Sequence, residues 1–314
     1  MVDRITQRHA SLGVRAEQYI VVEKYLFDAM KTILKDQLTQ SIAEAWYAAY
    51  WQLAHIFINA ECSLYNKAHW QGFRDFKIVR KSNETDTVVS LYLQPLEQET
   101  VLQYSPGQFI SIKVHVPSLG IDQIRQFSLS EAPGNDYFRV SVKKEPGEVS
   151  NVIHDVLKED DVVQITCPFG SFTPKDRNGP AVLISAGVGA TPVLSMLNTM
   201  LEDQNSKQQI TWIQVDKTPS SQPFLEYVRT LAKTQGNILK TAFYYTDANA
   251  QSESIPHLKG RPGLDKLDRG LLHISNPDSR FYICGPSSFM VSIVKQLSGL
   301  GVTSDRIHLE SFGA

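Results

Sequence analysis

Hydrophobic positions change their period twice along the chain. Over residues 1–66, Leu26, Phe27, Met30, Ile33, Leu34 and Leu38 recur at three- and four-residue steps, and so do Ile42, Trp46, Tyr50, Leu53 and Phe57. That spacing puts each set on one face of an α-helix. Gly13 is the single glycine of this zone and proline does not occur in it. The zone is therefore expected to be helical throughout, with Thr39 or Ser41 capping the second long helix. From residue 70 the period drops to two. Phe76 and Ile78, then Val89, Leu91 and Leu93, then Phe109, Ile110, Ile112 and Val114, then Phe138, Val140 and Val142 mark short strands. Turn material separates them, such as Ser-Pro-Gly at 105–107 and Pro-Gly-Asn-Asp at 133–136. The spacing predicts an antiparallel β-barrel, interrupted by one helix with Val152, Ile153, Val156 and Leu157 on one face. After about Asp176 strands and helices alternate. Strands are expected at 181–185, 210–215, 241–246, 281–284 and 307–312, with helices reaching Leu201, over 224–234 and over 287–300. Alternation of this kind implies a parallel α/β sheet.

Length sharpens the division. The 314 residues suffice for about two domains of roughly 150 residues each, so three zones leave the helical one as a remainder. We divide the chain at 1–66, 70–176 and 177–314. A net charge of −2 and no basic stripe argue against nucleic acid as a partner. No apolar run reaches the roughly 18 residues of a transmembrane helix. Cys62, Cys167 and Cys284 are odd in number and far apart, which argues against a disulfide framework and for a reducing, cytoplasmic setting. A monomer acting on small molecules is expected.

Three motifs carry chemistry. Residues 185–192 read Ser-Ala-Gly-Val-Gly-Ala-Thr-Pro between a strand and a helix. Gly187 and Gly189 allow tight turning and close approach to a phosphate. Thr191 is expected to cap the helix, and Pro192 suits its first turn. Amides at that helix start favour an anionic pyrophosphate. The spacing is not the usual GxGxxG fingerprint. Residues 281–286 read Phe-Tyr-Ile-Cys-Gly-Pro. At the carboxyl end of a strand, Cys284 is expected to face the same crevice as Gly187, although by itself it reads as a small buried apolar residue. Residues 125–128, Arg-Gln-Phe-Ser, offer a guanidinium for a pyrophosphate and a hydroxyl for a ring nitrogen. Asp216, after the second strand of the last zone, disfavours a 2′-phosphate and points to NADH, with Lys217 beside it pulling the other way.

In order, these motifs, Gly-Glu-Val-Ser-Asn at 147–151 and Glu-Ser-Phe-Gly at 310–313 resemble the ferredoxin–NADP reductase superfamily over residues 70–314. The resemblance implies an FAD-binding barrel followed by a pyridine-nucleotide domain. By it, Phe109, Arg125, Gln126, Phe127 and Ser128 hold the flavin, with Phe where relatives carry Tyr at 109 and 127. Val149 and Ser150 lie at the flavin pyrophosphate. Gly187, Val188, Gly189, Ala190, Thr191 and Pro192 match the nucleotide loop. Cys284, Gly285 and Pro286 border the hydride path. Glu310, Ser311, Phe312 and Gly313 match the segment beside the flavin ring.

Residues 5–12, 16–21 and 57–61 in turn resemble the proximal half of the globin domain of flavohemoproteins, the nitric oxide dioxygenases. By that resemblance His9 is the proximal iron ligand of haem b. Tyr19 and Glu61 form a relay that makes its imidazole more basic. Arg8 matches a basic residue near haem and flavin. A globin has eight helices and needs over about 100 residues. This zone supplies the last three, and the distal side has no counterpart. The chain is thus expected to be a shortened flavohemoprotein whose long helices expose apolar faces. The implied activity is oxidation of nitric oxide by O2 to nitrate, with NAD(P)H reducing FAD and FAD reducing haem. Two alternatives stand beside it: a haem-free NAD(P)H:flavin or ferric reductase, and an electron-transfer protein whose helical zone docks a partner.

Overall fold

The computed structural model describes residues 2–97, 100, 102–175, 179–203, 208–247, 258–260 and 262–312. Three helices form the first zone: α1 (Val2–Leu12), α2 (Ala16–Leu34) and α3 (Gln40–Lys67). Gly13, at φ +71°, closes α1, with the Val14 amide returning to the His9 carbonyl at 3.0 Å. Thr39 caps α3 by accepting from the Ile42 amide, as its hydroxyl and position predict. Packing is one-sided. Only Tyr19 and Phe27 of α2 and Ala54 and Glu61 of α3 are buried. Tyr25 is 65% exposed and Ile33 77%. The apolar stripes read from the sequence therefore lie partly in solvent. Phe27 of α2 makes edge contacts with Tyr47 and Tyr50 of α3, which is interhelix packing, and Trp51 meets Tyr47, Tyr50 and His55 along α3 itself.

Six antiparallel strands follow: β1 (Phe73–Thr85), β2 (Val88–Pro95), β3 (Phe109–Val116), β4 (Ile121–Ser128), β5 (Phe138–Lys143) and β6 (Val162–Thr166). Their order is β4-β3-β6-β1-β2-β5, and a lone bridge from Phe109 to Phe169 extends β3 past its last partner. Phe76, Ile78, Leu91, Leu93, Ile110, Ile112 and Phe138 fill the interior, as the period-two reading expects. Ala10 of α1 and Leu64 and Tyr65 of α3 pack on this same core, so the helices are joined to the barrel by hydrophobic contact. β6 was not marked by the sequence. The expected helix at 152–157 is instead a short α4 (Glu148–Asn151) running into a π-turn over residues 152–156. Lys81 holds that turn, its Nζ donating to the carbonyls of Ile153, His154 and Leu157 at 2.7–2.9 Å.

The last zone runs β7 (Ala181–Ala186), α5 (Ala190–Glu202), β8 (Ile210–Asp216), α6 (Leu225–Thr234), β9 (Leu239–Tyr245), β10 (Leu258–Lys259), α7 (Arg269–Leu272), β11 (Arg280–Cys284), α8 (Ser287–Gly299) and β12 (Ile307–Glu310). The sheet is parallel, in the order β10-β9-β8-β7-β11-β12. Chain order reverses between β7 and β11, which opens a crevice at the strands' carboxyl ends. β12 stops at Glu310, two residues before its expected end, because the chain leaves the sheet toward α1. The proposed division at 176 and 177 lies outside the described residues.

A polar network ties the barrel to the sheet. Arg139 of β5, 8% exposed, faces Glu131 at 3.2 Å and donates to Ser130. Glu131 accepts through its carboxylate from Asn198 of α5 at 2.6 Å and through its carbonyl from Ser195 and Tyr104. No helix among the described residues is long and apolar enough to cross a membrane.

Candidate functional site

The last turn of α1 carries His9. Its Nδ1 lies 2.7 Å from Glu61 Oε1 and 3.1 Å from the Tyr19 hydroxyl. Tyr19 donates to the same Glu61 oxygen at 2.6 Å. Glu61 is 2% exposed, so its charge is held by these donors in a site that water barely reaches. Burial first, then Glu61, pushes the Tyr19 phenol well above its usual range. The same causes push Tyr65 up to about 12, and its hydroxyl donates to the Val14 carbonyl at 2.6 Å. The structure thus brings together the three residues that the sequence placed 10 and 52 positions apart. With Nδ1 committed to a carboxylate, His9 keeps Nε2 for a ligand. An apolar cavity of about 440 Å³ adjoins His9, walled by Val14, Val22, Leu53, Ala54 and Phe57 together with Tyr19 and Tyr50. The wall comes entirely from α1, α2, α3 and the turn after α1. Among the described residues no three or more His, Cys, Asp or Glu side chains cluster as a metal cage. A haem iron needs only one such ligand from this side, so His9 and an apolar wall fit haem on its proximal face.

The flavin motif lies on β4, paired residue for residue with β3: Phe109 with Ser128, Ile110 with Phe127, Ser111 with Gln126, Ile112 with Arg125. Arg125 is exposed, its guanidinium resting on Gln123 and the Ile124 carbonyl, within reach of an anionic ligand. Phe109 and Phe127 pack against the barrel core, which is what a ring without a hydroxyl can do. Gln126 turns to α1, its amide donating to Ser11. Val149 buries its side chain in the core, leaving only its backbone for a pyrophosphate. The Ser150 hydroxyl closes a turn, donating to the Glu145 carbonyl at 2.8 Å.

At the nucleotide loop, Gly187 adopts φ +55° with nothing near a would-be Cβ, whereas a Cβ on Gly189 would stand 2.4 Å from the Cys284 carbonyl oxygen. Gly189 is therefore required by the packing of the loop on β11. The expectation for Thr191 is corrected. A 3-10 turn over 187–189 runs straight into α5, so Thr191 sits inside the first turn and donates to the Val188 carbonyl at 3.0 Å. Pro192 is third in the helix, as its missing N–H allows. Ala190 and Thr191 are buried. A crevice of about 750 Å³ is lined by Gly187, Val188, Gly189, Asp216, Lys217, Gly285, Pro286 and Phe312, with Lys143 and Glu145 from the barrel side.

Cys284 follows its reading as a small buried apolar residue and does not line the crevice. It is fully buried, burial and then Glu310 push its thiol up, and its neighbours Gly285 and Pro286 form the crevice wall. Glu310 pairs in register with Cys284. Burial raises its carboxyl, while Arg8 and Arg4 pull it down. Asp216 accepts from Ser221 and from the Lys217 amide through Oδ1. Its Oδ2 is buried without a partner among the described residues, and burial raises its pKa. Ser311 gives its carbonyl to Arg8 at 3.1 Å. Gly313 lies outside the described residues. The sequence did not reveal Ser11, which meets Gln126 across 115 residues of chain.

Two oxidoreductase domain families match the chain. The oxidoreductase FAD-binding domain family matches residues 75–173 and the oxidoreductase NAD-binding domain family residues 183–295. A flavohemoprotein of Bordetella pertussis is 39% identical over 326 residues, covering all of this chain and 80% of the relative. One of Bacillus subtilis is 38% identical, covering all of this chain and 79% of the relative. A crystal structure of flavohemoglobin from Malassezia yamatoensis, with bound FAD and heme, superposes with a TM-score of 0.87 at 30% identity, covering all of this chain and 79% of that one.

Proposed function

Because the chain belongs to the flavohemoprotein family and is an FAD- and NAD-binding oxidoreductase, we propose that it oxidises nitric oxide with O2 to nitrate, using electrons from NADH. The observation that carries this reading is the His9–Glu61–Tyr19 triad, a histidine with a buried carboxylate on one nitrogen and an apolar cavity beside it. Haem bound at His9 and FAD bound along β3 and β4 would supply the electron chemistry. The residues supply the rest. Glu61 takes the hydrogen bond of His9 Nδ1–H and so enriches the imidazole at Nε2. Tyr19, kept protonated by burial, fixes the carboxylate. Arg125 and the backbone at Val149 and Ser150 hold the flavin phosphates, and Ser128, with Phe109 and Phe127, borders its ring. Residues 187–192 receive the nucleotide pyrophosphate. Gly285, Pro286 and Phe312 wall the crevice, and the buried Cys284 next to them pairs in register with the half-buried Glu310. Asp216, in the lining of the crevice, disfavours a 2′-phosphate and selects NADH over NADPH. We assign 1–66, 70–176 and 177–314 to haem, flavin and nucleotide, and place the monomer in a reducing cytoplasm.

A haem-free NAD(P)H:flavin or ferric reductase is the second reading. It is favoured by the wall of the His9 cavity, which comes from one layer of helices. Purified protein separates the two. A Soret band with one haem per chain and NADH-dependent loss of nitric oxide supports the first. Flavin absorbance and ferric reduction without a Soret band refutes it. A tenfold lower kcat/KM for NADH than for NADPH refutes the nucleotide assignment.

A further inference from the structure

α1 has two sides with different partners. At about 100° per residue, Gln7, Arg8 and Ser11 fall on one side, and His9 lies roughly 150° from their midline. His9 turns to Tyr19 and Glu61. The other side meets the reductase. Gln7 accepts from the Gly170 amide at 2.8 Å, beyond β6. Arg8 donates to the Ser311 carbonyl at 3.1 Å, beyond β12. Ser11 accepts from Gln126 on β4 and donates to the Arg8 carbonyl at 2.8 Å. Three separate reductase segments are pinned to the helix that carries the candidate iron ligand.

Ser11 is the centre of this side. It is fully buried, and its one hydroxyl accepts from Gln126 and donates to the Arg8 carbonyl; the Gln126 amide also reaches the Arg8 carbonyl at 3.5 Å, so an apolar residue of this size leaves Gln126 only that longer bond. Strand pleating sends Gln126 to the opposite face from Arg125 and Phe127. The same pleat puts Ser128 on the Gln126 face, so β4 presents Arg125 and Phe127 on one face and, on the other, the α1 contact beside Ser128. We propose that Ser11 is a positioning residue for electron transfer from flavin to haem: it fixes the rotation and height of the His9 helix on the Arg-Gln-Phe-Ser strand while touching neither redox group. This assignment rests on the flavohemoprotein function proposed above.

The test uses the full chain with FAD and haem bound and compares Ser11→Ala with Thr6→Ala. Thr6 is also buried on α1, but its hydroxyl stays within the helix, donating to the Asp3 carbonyl, so it reports the loss of any buried hydroxyl. In Ser11→Ala, amide hydrogen exchange across α1 quickens about tenfold, the worth of one buried hydrogen bond. Flavin-to-haem electron transfer, followed anaerobically by stopped flow, slows by about the same factor. NADH-driven ferricyanide reduction, which draws on the flavin, stays within about twofold of wild type. Thr6→Ala changes the two rates little. The proposal is overturned if α1 exchanges at the wild-type rate in Ser11→Ala, if Thr6→Ala matches Ser11→Ala, or if ferricyanide reduction falls in step with flavin-to-haem transfer. Should the wild-type chain take up no haem, the proposed function fails. Exchange across α1 in the flavin-loaded protein then still decides the contact: an unchanged rate overturns it, and quickening confined to Ser11→Ala upholds the docking role.

Discussion

Replacing Gly189 by alanine is the most informative single change in the nucleotide crevice. Its Cβ would lie 2.4 Å from the Cys284 carbonyl oxygen, 2.7 Å from its carbon and 2.9 Å from the Gly285 nitrogen. All three are main chain at the end of β11, so no side chain can rotate aside. An ordinary carbon–oxygen contact is about 3.3 Å or more, so the start of α5 and the end of β11 must part by about 1 Å. Forcing atoms into a close-packed site costs about 3 kcal/mol at the upper end of the usual range. That is about 6–12 °C of melting midpoint for a unit of this size. Gly187→Ala is the control. Nothing lies within 4 Å of its Cβ, so only the left-handed backbone costs, about 1 kcal/mol or 2–4 °C. The assay is thermal unfolding followed in both variants beside NADH kcat/KM with ferricyanide. Gly189→Ala should lose at least tenfold in kcat/KM at unchanged flavin content, because the displaced backbone is the floor of the crevice. A wild-type midpoint and kcat/KM in Gly189→Ala would refute the steric reasoning.

Three other changes test other parts. Glu61→Gln replaces a charge-assisted bond to His9 by a neutral one, so a redox titration of the haem-loaded protein should show its potential raised by about 40–60 mV; an unchanged value sinks the electronic role of Glu61. Arg139→Ala leaves Glu131 without its buried cation and should cost about 3–5 kcal/mol in urea titration, whereas Arg139→Met should lose less if the penalty is the orphaned charge. Burial holds the Asp216 carboxyl above its usual range, so between the ordinary and the raised value the folded chain keeps a proton that the unfolded chain has released. Stability therefore falls as pH rises through that window, and urea midpoints should show Asp216→Asn removing that part of the slope.

The elements most legible in the sequence are those whose apolar residues recur periodically. Phe76, Leu91 and Phe138 announce strands because the barrel interior takes alternate side chains, and α2 and α3 announce themselves by their stripes. β6 escaped because Val-Val-Gln-Ile-Thr is too short to show a period. β4, Ile-Asp-Gln-Ile-Arg-Gln-Phe-Ser, is an edge strand with only Ser128 buried, so only its last four residues were marked. Thr191 was taken for a cap because strand-to-helix loops usually end in one. The loop itself is helical, and this moves the cap position upstream. His9, Tyr19 and Glu61 were found through resemblance. Their geometry is now visible as hydrogen bonds. Ser11 and Glu131 were not legible at all: a serine on a helix and a glutamate in a loop carry no signal until chain segments far apart in sequence are brought together.

The network around Arg139 has a consequence for traffic through the molecule. A crevice between two domains is commonly imagined as a jaw, opened by a hinge so that a spent nucleotide can leave. Here Arg139 holds Glu131 on the barrel side, and Asn198 and Ser195 of α5 donate to that glutamate across the joint, so swinging it open would break those two bonds. At the rim of the crevice Phe312 stands partly in solvent, so the aromatic side chain a nucleotide meets there sits on the chain end, away from the tied joint.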